Sequence, residues 1–439
     1  MTSMLAYFEE QKDVLSNRIV DLGNASPFYK RLLRRTVKKM ESGENFDFEF
    51  YNVIPRTTKD DLKRNHPFGF LKADRSEIRG YFESSGTTDE SIGSSKTSSL
   101  RTIGDMQRDY IRRIPEWLND VEKGQFAVIH LPYALTSSGV SFHEALTELE
   151  IVPVAVDQGH SFSSYSRVYD LLKSLDAKVL VSSNPLLLRD IILYELKEDL
   201  FELPSLKNIL MVGTALSEKN RQFIREKYGI RVGPFYGMSE FGAIGVPCSS
   251  GNLHVHSDFF VEILNPNNTE ESYAQKVLGG EIVLTDLTSE GTPLLKYRTG
   301  DAGRLVFGGC DCENKNARVE VFGRLKDVIR YNEQLLFPTD FQDLLIDLKH
   351  TSPIHKLVAK GDDELLLELH IQQMRPSPEE IEIIEGRIKA LTDLPITVTT
   401  YKFGELFEDI YNQNFYRTTQ KVKTMSFHDE RKGEWIVTY

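Results

Sequence analysis

Short apolar segments alternate with helical patterns between residues 126 and 237, and this alternation constrains the fold more than any other feature of the sequence. The segments are FAVIHLPY, AKVLVSS, LKNILMVG and IRVGPFYG, and each ends in small or turn-forming residues. Helical patterns such as FHEALTEL (142–149) and SEKNRQFIREKYG (217–229) lie between them. A strand followed by a helix, repeated, is typical of parallel α/β layers. We therefore predict a parallel sheet in this part of the chain.

Two further patterns follow along the chain. Between residues 253 and 309, apolar and polar residues alternate with period two in LHVHSDFFVEIL, GEIVLTDL and GRLVFGG, as in antiparallel strands. Beyond Lys326 the sequence predicts a short strand, a helix from Thr339, the hairpin KLVAKGDDELLLELHI, a second helix and a final strand. In the second helix we expect Ser377 as the N-cap and Glu380 as its partner in a capping box.

These patterns predict an α/β fold with two domains. Because 439 residues exceed one ordinary core, we expect a large N-terminal domain over residues 1–324, with mixed sheets and a β-rich closing region. We expect a small α+β C-terminal lid domain over residues 325–439, which is mobile about a hinge near Lys326.

The composition limits the partners and the compartment. The formal net charge of -12 disfavours binding to nucleic acid. No apolar stretch approaches the ~20 residues that span a bilayer, and the N-terminus lacks the apolar core of a signal peptide. Three cysteines cannot form a closed disulfide framework. We therefore expect a cytoplasmic protein in a reducing compartment, without a membrane or nucleic-acid partner.

The stretch YFESSGTTDESIGSSK, residues 81–96, is rich in hydroxyl groups around Gly86. Backbone amides and hydroxyls that surround a glycine can form a nest for an anion such as a phosphate. The residues that could do so are Ser84, Ser85, Gly86, Thr87 and Thr88. Taken alone, the stretch fits a solvated loop equally well.

Three segments downstream, FYGMSEFG, KYRTGDAGRL and FGRLKDVIRY, carry further candidates. Tyr236 offers an aromatic face for a base, Ser239 a hydroxyl for a phosphate, and Glu240 an oxygen ligand for Mg²⁺. Asp301 could accept hydrogen bonds from both hydroxyls of a ribose, and Arg324 could donate. Singly, such residues are more often turn and surface positions, but together and in this order they indicate a nucleotide site.

These segments resemble those of the acyl- and aryl-adenylate-forming superfamily, and the resemblance covers nearly the whole chain. Within the superfamily the sequence is most similar to the phenylacetate-CoA ligase branch and its coenzyme F390 synthetase-related members. The matching segments are SPFYKRLL, IPRTTKDDLKRNHPFGF, SSGTT, YGMSE, LHVHSDFFVEIL, GTPLLKYRTGD, and GCDCE ahead of FGRLKD. The resemblance implies a two-step reaction: a carboxylate attacks the α-phosphate of ATP to give acyl-AMP and pyrophosphate, and an acceptor then displaces AMP.

The resemblance also implies roles for individual residues. Residues 84–88 would hold the β- and γ-phosphates, Tyr236 would stack on the adenine, and Glu240 would hold Mg²⁺. The other nucleotide ligands would be Gly213, Thr214, Gly237, Ser239, Asp301 and Arg324. The lid would rotate about Lys326 between the two half-reactions.

The adenylation lysine of this family lies near the C-terminus, where this chain reads YRTTQKVKT. Lys421 is the matching residue, and Lys423 is the second candidate. Lys421 would be catalytic together with Thr87 and Glu240. A flexible cation such as the lysine suits the charge that develops between carboxylate and phosphate. The alternative is a surface lysine on an exposed strand.

All three cysteines fall where the branch commonly has cysteines and a histidine. The candidate ligands are Cys248, His254, Cys310 and Cys312. Three cysteines and one histidine form the closed tetrahedral set that is typical of structural zinc. We predict zinc here, with free buried thiols as the alternative. His254 matches the branch better than His256 does, and Asp258 is a candidate second partner of the histidine.

The resemblance implies that the pocket for the acid forms where HLPYALTSSGVSFHEAL, residues 130–146, faces the strand that carries Tyr236. Tyr133 could stack on a ring, whereas the neighbouring hydroxyl groups favour a smaller or more polar acid than an unsubstituted arylacetate. The candidates are Tyr133, Leu135, Ser138, Gly139 and His143. As individual residues, His130 and His143 are interpreted as hydrogen-bonded structural histidines rather than ligands.

Three positions depart from the pattern of the family. Asp89 replaces a glycine beside the expected triphosphate, and Glu333 replaces a glycine that lets the pantetheine arm of CoA pass. Gln420 replaces a glycine before Lys421. We expect an ATP-dependent ligase with CoA as acceptor, and an amine or a carrier-protein thiol as alternatives. A non-catalytic nucleotide-binding paralogue is the other hypothesis, and a homodimer is a candidate assembly.

Overall fold

The computed structural model describes residues 4–84, 97–108, 114, 117–118, 120–158, 163–265, 268–272, 279–331, 334–360, 366–406 and 425–429. The α-helices are α1 (Met4–Ala25), α2 (Pro27–Leu32), α3 (Arg34–Glu41), α4 (Phe48–Asn52), α5 (Lys59–Arg64), α6 (Ile103–Arg108), α7 (Ser137–Glu148), α8 (Tyr165–Ser174), α9 (Pro185–Leu196), α10 (Glu218–Tyr228), α11 (Pro338–Leu345) and α12 (Pro378–Leu391). Among the described residues, no helix has both the length and the apolar character needed to cross a membrane.

The strands are β1 (Ile78–Glu83), β2 (Ser98–Thr102), β3 (Phe126–His130), β4 (Val152–Ala155), β5 (Val179–Ser182), β6 (Asn208–Val212), β7 (Arg231–Met238), β8 (Gly242–Pro247), β9 (Leu253–Val255), β10 (Phe259–Asn265), β11 (Asn268–Ser272), β12 (Gly280–Asp286), β13 (Tyr297–Val306), β14 (Arg318–Arg324), β15 (Ile329–Tyr331), β16 (Gln334–Leu336), β17 (Thr351–Lys360), β18 (Leu366–Gln373), β19 (Ile396–Lys402) and β20 (Met425–Asp429). The predicted mixed α/β class is confirmed.

Two compact units divide the chain, and each is built from three separate segments. The first unit comprises Met1–Asp120, Pro132–Glu150 and Pro234–Val321. The second unit comprises Val121–Leu131, Ile151–Gly233 and Phe322–Tyr439. The domain boundary at residue 324 and the hinge at Lys326 remain predictions.

The first unit contains the predicted antiparallel strands, in the order β11-β10-β12-β13-β14-β9-β8-β7. The pairs β10–β12, β12–β13, β7–β8 and β8–β9 are antiparallel, as expected. The N-terminal helices cover the sheet with aromatic side chains, and Phe8 and Tyr51 both contact the ring of Phe260. β1 and β2 form a separate antiparallel pair, in which Glu83 lies opposite Ser98.

The period-two pattern of GEIVLTDL does not separate a buried face from an exposed one. All residues of β12 are buried, because the strand lies between β10 and β13 and is covered on both sides. Its two acidic residues have polar partners within the fold. Glu281 accepts from Arg298, and Asp286 accepts from the backbone amide of Ser289.

The second unit contains the predicted parallel sheet, in the order β6-β5-β3-β4. The pairs β3–β4, β3–β5 and β5–β6 are all parallel, which confirms the prediction from the strand and helix alternation. Apolar side chains of α8 and α9, such as Leu172 and Ile191, pack with Val128 and Ile209 of the sheet. The carboxyl ends of these strands therefore share one edge, where Ser182 and Val212 end β5 and β6.

The C-terminal part of the second unit forms a four-stranded sheet in the order β19-β18-β17-β20. β17 and β18 form the predicted hairpin, and α11 begins at Pro338, one residue before the predicted start. Ile384 and Ile388 of α12 pack with α11 and this sheet, as the predicted apolar face requires. Three side chains from this region, Ile346, Ile354 and Leu406, instead join the core around α9.

The start of α12 differs from the predicted capping box. Ser377 is the N-cap, as expected, because its hydroxyl accepts from the Glu380 amide at 3.3 Å. The Glu380 carboxylate does not return to Ser377, and instead accepts from the amides of Lys349 and His350 and the hydroxyl of Thr351. The segment that enters β17 offers three donors to this carboxylate where the capping box would use one, so the tertiary contact replaces the local one.

Candidate active site and metal centre

Tyr236 on β7 and Asp301 on β13 lie side by side in the first unit. The Tyr236 hydroxyl donates to Asp301 Oδ2 at 3.0 Å, and both residues are buried. The irregular stretch of β13 before Asp301, where the register with β12 shifts, is held by Glu281 of β12, whose Oε1 accepts from the Gly300 amide at 3.1 Å. Gly300 has a φ of 69°, which a residue with a side chain rarely adopts. This arrangement fixes a carboxylate next to an aromatic ring.

Ser239 and Glu240 lie in the turn between β7 and β8, and the start of β2 holds this turn. The Ser99 hydroxyl donates to the Ser239 carbonyl at 2.7 Å. Thr97 Oγ1 lies 2.7 Å from Glu240 Oε1 and 2.6 Å from Ser84 Oγ. The structure therefore brings together three of the predicted residues, Ser84, Ser239 and Glu240, through hydroxyl groups that the sequence did not single out. The hydroxyl-rich stretch TSS, residues 97–99, at the start of β2 was the available signal.

Several predicted site residues lie outside the described residues, so their predictions stay untested. They are Ser85, Gly86, Thr87, Thr88, Asp89, Glu333, Gln420, Lys421 and Lys423.

The predicted nucleotide residues of the second unit lie at two places. Gly213 and Thr214 follow β6 at the carboxyl edge of the parallel sheet, and the Thr214 hydroxyl donates to the Ser183 carbonyl at 2.6 Å. Gly213 has a φ of 94°, which explains the glycine. Arg324 ends β14, and Lys326 lies in the 3₁₀ turn Leu325–Asp327 that follows, both half-buried.

The predicted acid-pocket residues cluster around the first turn of α7. The Tyr133 hydroxyl lies 3.3 Å from His143 Nδ1, so the interpretation of His143 as hydrogen-bonded holds. A Cβ at Gly139 would lie 2.7 Å from the Tyr133 ring, which explains the glycine there. Leu135 is exposed, with a φ of 59°, and its carbonyl accepts from the Glu83 amide. Ser138 contacts the Thr136 hydroxyl at 3.3 Å.

His130 differs from its predicted state. Its ring is buried against Tyr165, and neither ring nitrogen has a hydrogen-bond partner among the described residues. Burial lowers the pKa of His130 from 6.5 to about 4, because the imidazolium would lose its hydration. The residue is therefore a neutral ring in the interior of the second unit.

The predicted metal ligands converge in the first unit. The ligand atoms of Cys248, His254, Cys310 and Cys312 all lie within 4.8 Å of one another. Cys248 Sγ and Cys310 Sγ are 3.7 Å apart, and Cys312 Sγ lies 3.3 Å from His254 Nε2. Zinc with bonds of about 2.3 Å to sulfur would set tetrahedral sulfur separations of about 3.8 Å. The four side chains therefore fit a zinc ion.

The backbone holds His254 in the orientation that a metal ligand needs. His254 Nδ1 lies 2.8 Å from the Asn316 carbonyl, and a donated Nδ1 proton leaves Nε2 as the lone-pair donor toward the cysteines. Asp258 does not fill the role expected of it, because it lies 3.2 Å from His256 Nδ1. A backbone carbonyl carries no side-chain signature, so the sequence could not identify Asn316.

The three thiols differ in their tendency to ionise. Burial acts to raise the pKa of Cys310, but hydrogen bonds from Cys312 and His254 outweigh it and lower this pKa to about 6. Burial and the neighbouring Cys310 raise the pKa of Cys312 to about 11. A cluster of thiols without positive charge cannot ionise together, and a divalent cation would remove this limit.

Comparisons with known proteins found relatives that are similar in sequence and solved structures that are similar in fold. No protein-family model matches the chain. The phenylacetate-coenzyme A ligase of Thermus thermophilus is 25% identical over 402 residues, covering 87% of this chain and 87% of that protein. The phenylacetate-coenzyme A ligase of Escherichia coli is 25% identical over 319 residues, covering 69% of this chain and 68% of that protein.

A solved structure supports the fold independently. The 2-hydroxyisobutyryl-CoA ligase in complex with 2-HIB-AMP superposes with a TM-score of 0.70 at 16% identity, covering 93% of each chain. These similarities confirm the predicted resemblance to the phenylacetate-CoA ligase-like branch of adenylate-forming enzymes. The curated relatives also support the predicted enzyme class at the level of an acid–thiol ligase.

Proposed function

We propose that this phenylacetate-CoA ligase-like chain activates a carboxylic acid with ATP and transfers the acyl group to the thiol of CoA. In the first step, a carboxylate oxygen attacks the α-phosphorus, the bond to the β-phosphate breaks, and pyrophosphate leaves. In the second step, the thiol sulfur attacks the acyl carbonyl, and AMP leaves. The observation that carries the proposal is the gathering of Tyr236, Ser239, Glu240 and Asp301 in one unit.

We assign the nucleotide to the groups around Asp301. The Asp301 carboxylate would accept from the ribose hydroxyls, and the adjacent Tyr236 ring would stack on the adenine. Gly237 follows Tyr236 on β7, where a missing side chain gives the nucleotide room. Residues 84–88 would hold the β- and γ-phosphates, and Ser239 the α-phosphate. Gly213, Thr214 and Arg324 would complete the adenine and ribose contacts, and the lid would turn about Lys326.

Glu240 suits a magnesium ligand. Its carboxylate is 5% exposed and accepts from Thr97, and no lysine or arginine pairs with it among the described residues. Burying a carboxylate costs free energy unless a cation pairs with it, so the site fits Mg²⁺. The ion would neutralise phosphate charge, and the adenylation lysine, Lys421, would add a second positive charge.

The acid is proposed to be an aryl acid or a small polar acid. Tyr133 would offer a ring to stack on, and the hydroxyls of Thr136, Ser137 and Ser138 would favour polar substituents. Leu135 lies in the same segment with an exposed side chain, and Gly139 lies directly against the Tyr133 ring.

Acid-dependent release of pyrophosphate across a panel of acids tests the first step. Hydroxylamine in the same assay should trap the activated acid as a hydroxamate. Lys421→Ala should lower this rate by about 10³-fold while ATP still binds. Bound ATP without turnover on any acid would contradict the proposal and would favour the non-catalytic paralogue.

The acceptor is tested separately. CoA, amines and a carrier-protein thiol are offered to the acid-activating enzyme, and loss of the hydroxamate trap with appearance of a thioester identifies the acceptor. We expect the thioester with CoA. Transfer to amines alone would overturn the choice of CoA and leave acid activation standing.

We also propose structural zinc at Cys248, His254, Cys310 and Cys312. A reducing cytoplasm would keep the thiols available to the ion. Elemental analysis of protein purified without added metal should give about one zinc per chain, and the Cys310→Ser variant should lose it. Zinc-free protein with unchanged thermal stability would contradict the proposal, whereas the matched Ser249→Ala variant should keep its zinc.

A further inference from the structure

Thr97, which precedes β2, and Ser99, the second residue of β2, both contact the turn that carries Glu240. Successive side chains of an extended segment point to opposite faces, so Thr97 and Ser99 share a face and Ser98 takes the other. Ser99 donates to the Ser239 carbonyl at 2.7 Å, and Ser98 Oγ lies 2.7 Å from His66 Nδ1. The segment therefore directs one hydroxyl to the turn backbone and another to the turn carboxylate.

Thr97 is buried and has a single hydroxyl proton. Its Oγ1 lies within hydrogen-bond distance of both Glu240 Oε1 and Ser84 Oγ. A carboxylate only accepts, so Thr97 donates to Glu240, and Ser84 must then donate to Thr97. The result is a directed chain of hydroxyls from Ser84 through Thr97 to Glu240.

A backbone hydrogen bond also joins the first two residues of this series of hydroxyls. The Ser84 amide donates to the Thr97 carbonyl at 2.9 Å, next to the pair Glu83 and Ser98 that closes the β1–β2 ladder. Thr97 is 1% exposed and Glu240 is 5% exposed, so water competes little for their hydrogen bond. The Thr97 hydroxyl, which lies next to the hydrogen-bonded β1–β2 pair, thus sets the rotamer of the Glu240 carboxylate.

We infer that Thr97 is a positioning residue, which aims the Glu240 carboxylate at a divalent cation and couples it to the residue that begins the predicted phosphate-binding segment. The inference rests on the proposed function, because it assigns Glu240 to the metal. Removing a group that orients a metal ligand typically lowers the metal affinity by about 10- to 100-fold. For the loss of one hydroxyl we expect a decrease of about 10-fold.

The test uses the full-length protein and the variants Thr97→Val and Thr97→Ser. Valine keeps the size of the side chain and removes the hydroxyl, whereas serine keeps the hydroxyl. We measure the Mn²⁺ concentration that half-saturates the ATP-bound protein, by electron paramagnetic resonance of free Mn²⁺. We also measure the Mg²⁺ dependence of pyrophosphate release. Both concentrations should rise about 10-fold in Thr97→Val and return to within about 3-fold of wild type in Thr97→Ser.

Thr292→Val is the matched control. Thr292 is also buried, and its hydroxyl accepts from the Leu100 amide of β2, but it does not contact Glu240. An unchanged metal dependence in Thr97→Val would overturn the inference, as would an equal change in Thr292→Val. If valine does not fold, Thr97→Ala replaces it. Wild-type protein that binds Mn²⁺ with ATP but activates no acid would refute the proposed function alone, since the binding comparison still decides the role of Thr97.

Discussion

Buried polar residues define the candidate site at the scale of single residues. Asp301 receives a hydrogen bond from Tyr236. The preceding residue of the same strand, Gly300, donates to Glu281, which also accepts from Arg298. Each contact joins residues that are far apart in the sequence. The segment that carries Asp301 is thus held in part by Glu281, a residue that lies outside the motifs from which the site was predicted.

The first prediction concerns the Asp301 carboxylate. Asp301→Asn should raise the KM for ATP by about 10- to 100-fold, because a neutral amide accepts more weakly from two ribose hydroxyls than a charged carboxylate does. The KM is measured from pyrophosphate release at a saturating acid concentration.

Asp347→Asn is its control, because that carboxylate pairs with Arg387 in the C-terminal region. Its KM for ATP should match that of wild type. A wild-type KM in Asp301→Asn would remove the ribose assignment.

At the scale of elements, the N-terminus of α12 is fastened to the start of β17 by one side chain. Glu380 accepts from two backbone amides and from Thr351, and it is buried. Glu380→Ala should lower the free energy of unfolding by about 3 kcal/mol, since two amides lose their acceptor. Urea denaturation followed by circular dichroism measures the change.

Glu379→Ala provides the comparison, because Glu379 is an exposed residue of the same helical turn. It should change the free energy of unfolding by less than about 0.5 kcal/mol. Equal effects of the two substitutions would mean that the fastening is not specific to Glu380.

Local patterns predicted the elements well and their contacts poorly. Ser377 could be identified as an N-cap because its partner is three residues away, and the hairpin β17–β18 because its strands are adjacent in sequence. The contact between Thr97 and Glu240 spans 143 residues, and no short pattern encodes it. The cysteine cluster is the exception, because its four residues match positions where the family that the sequence resembles commonly has cysteines and a histidine.

At the scale of the whole molecule, the protonation of three buried groups should contribute to the pH dependence of stability. Burial lowers the pKa of both His130 and His355 from 6.5 to about 4. Their contribution is complete above pH 6.5 and is lost as the pH falls toward 4, since only the unfolded chain takes up these protons.

Asp190 has the opposite effect. Burial raises its pKa from 3.8 to about 7, so the folded protein holds a proton that the unfolded chain releases. Its contribution is present below pH 3.8 and is lost as the pH rises through 7. Between pH 4 and 6.5 two protons favour the unfolded state and one favours the folded state.

The third prediction follows from this balance. In that interval Asp190→Asn should make stability increase with pH more steeply than in wild type, by about 1.4 kcal/mol per pH unit, because the opposing proton is gone. Urea denaturation at several pH values measures both slopes, and the exposed Asp170→Asn serves as control. Parallel slopes in wild type and Asp190→Asn would show that Asp190 is ionised in the folded protein.

The parallel sheet and the C-terminal sheet of the second unit come from segments that are separated in the sequence. Ile346, Ile354 and Leu406 of the C-terminal segment complete the apolar core around α9. A protein truncated after residue 324 would therefore lack these three side chains and would expose apolar surface of α9. We expect that fragment to aggregate on expression, and to be rescued into solution by co-expression of the missing C-terminal piece. The two parts of the chain on either side of residue 324 therefore need each other to complete the core around α9.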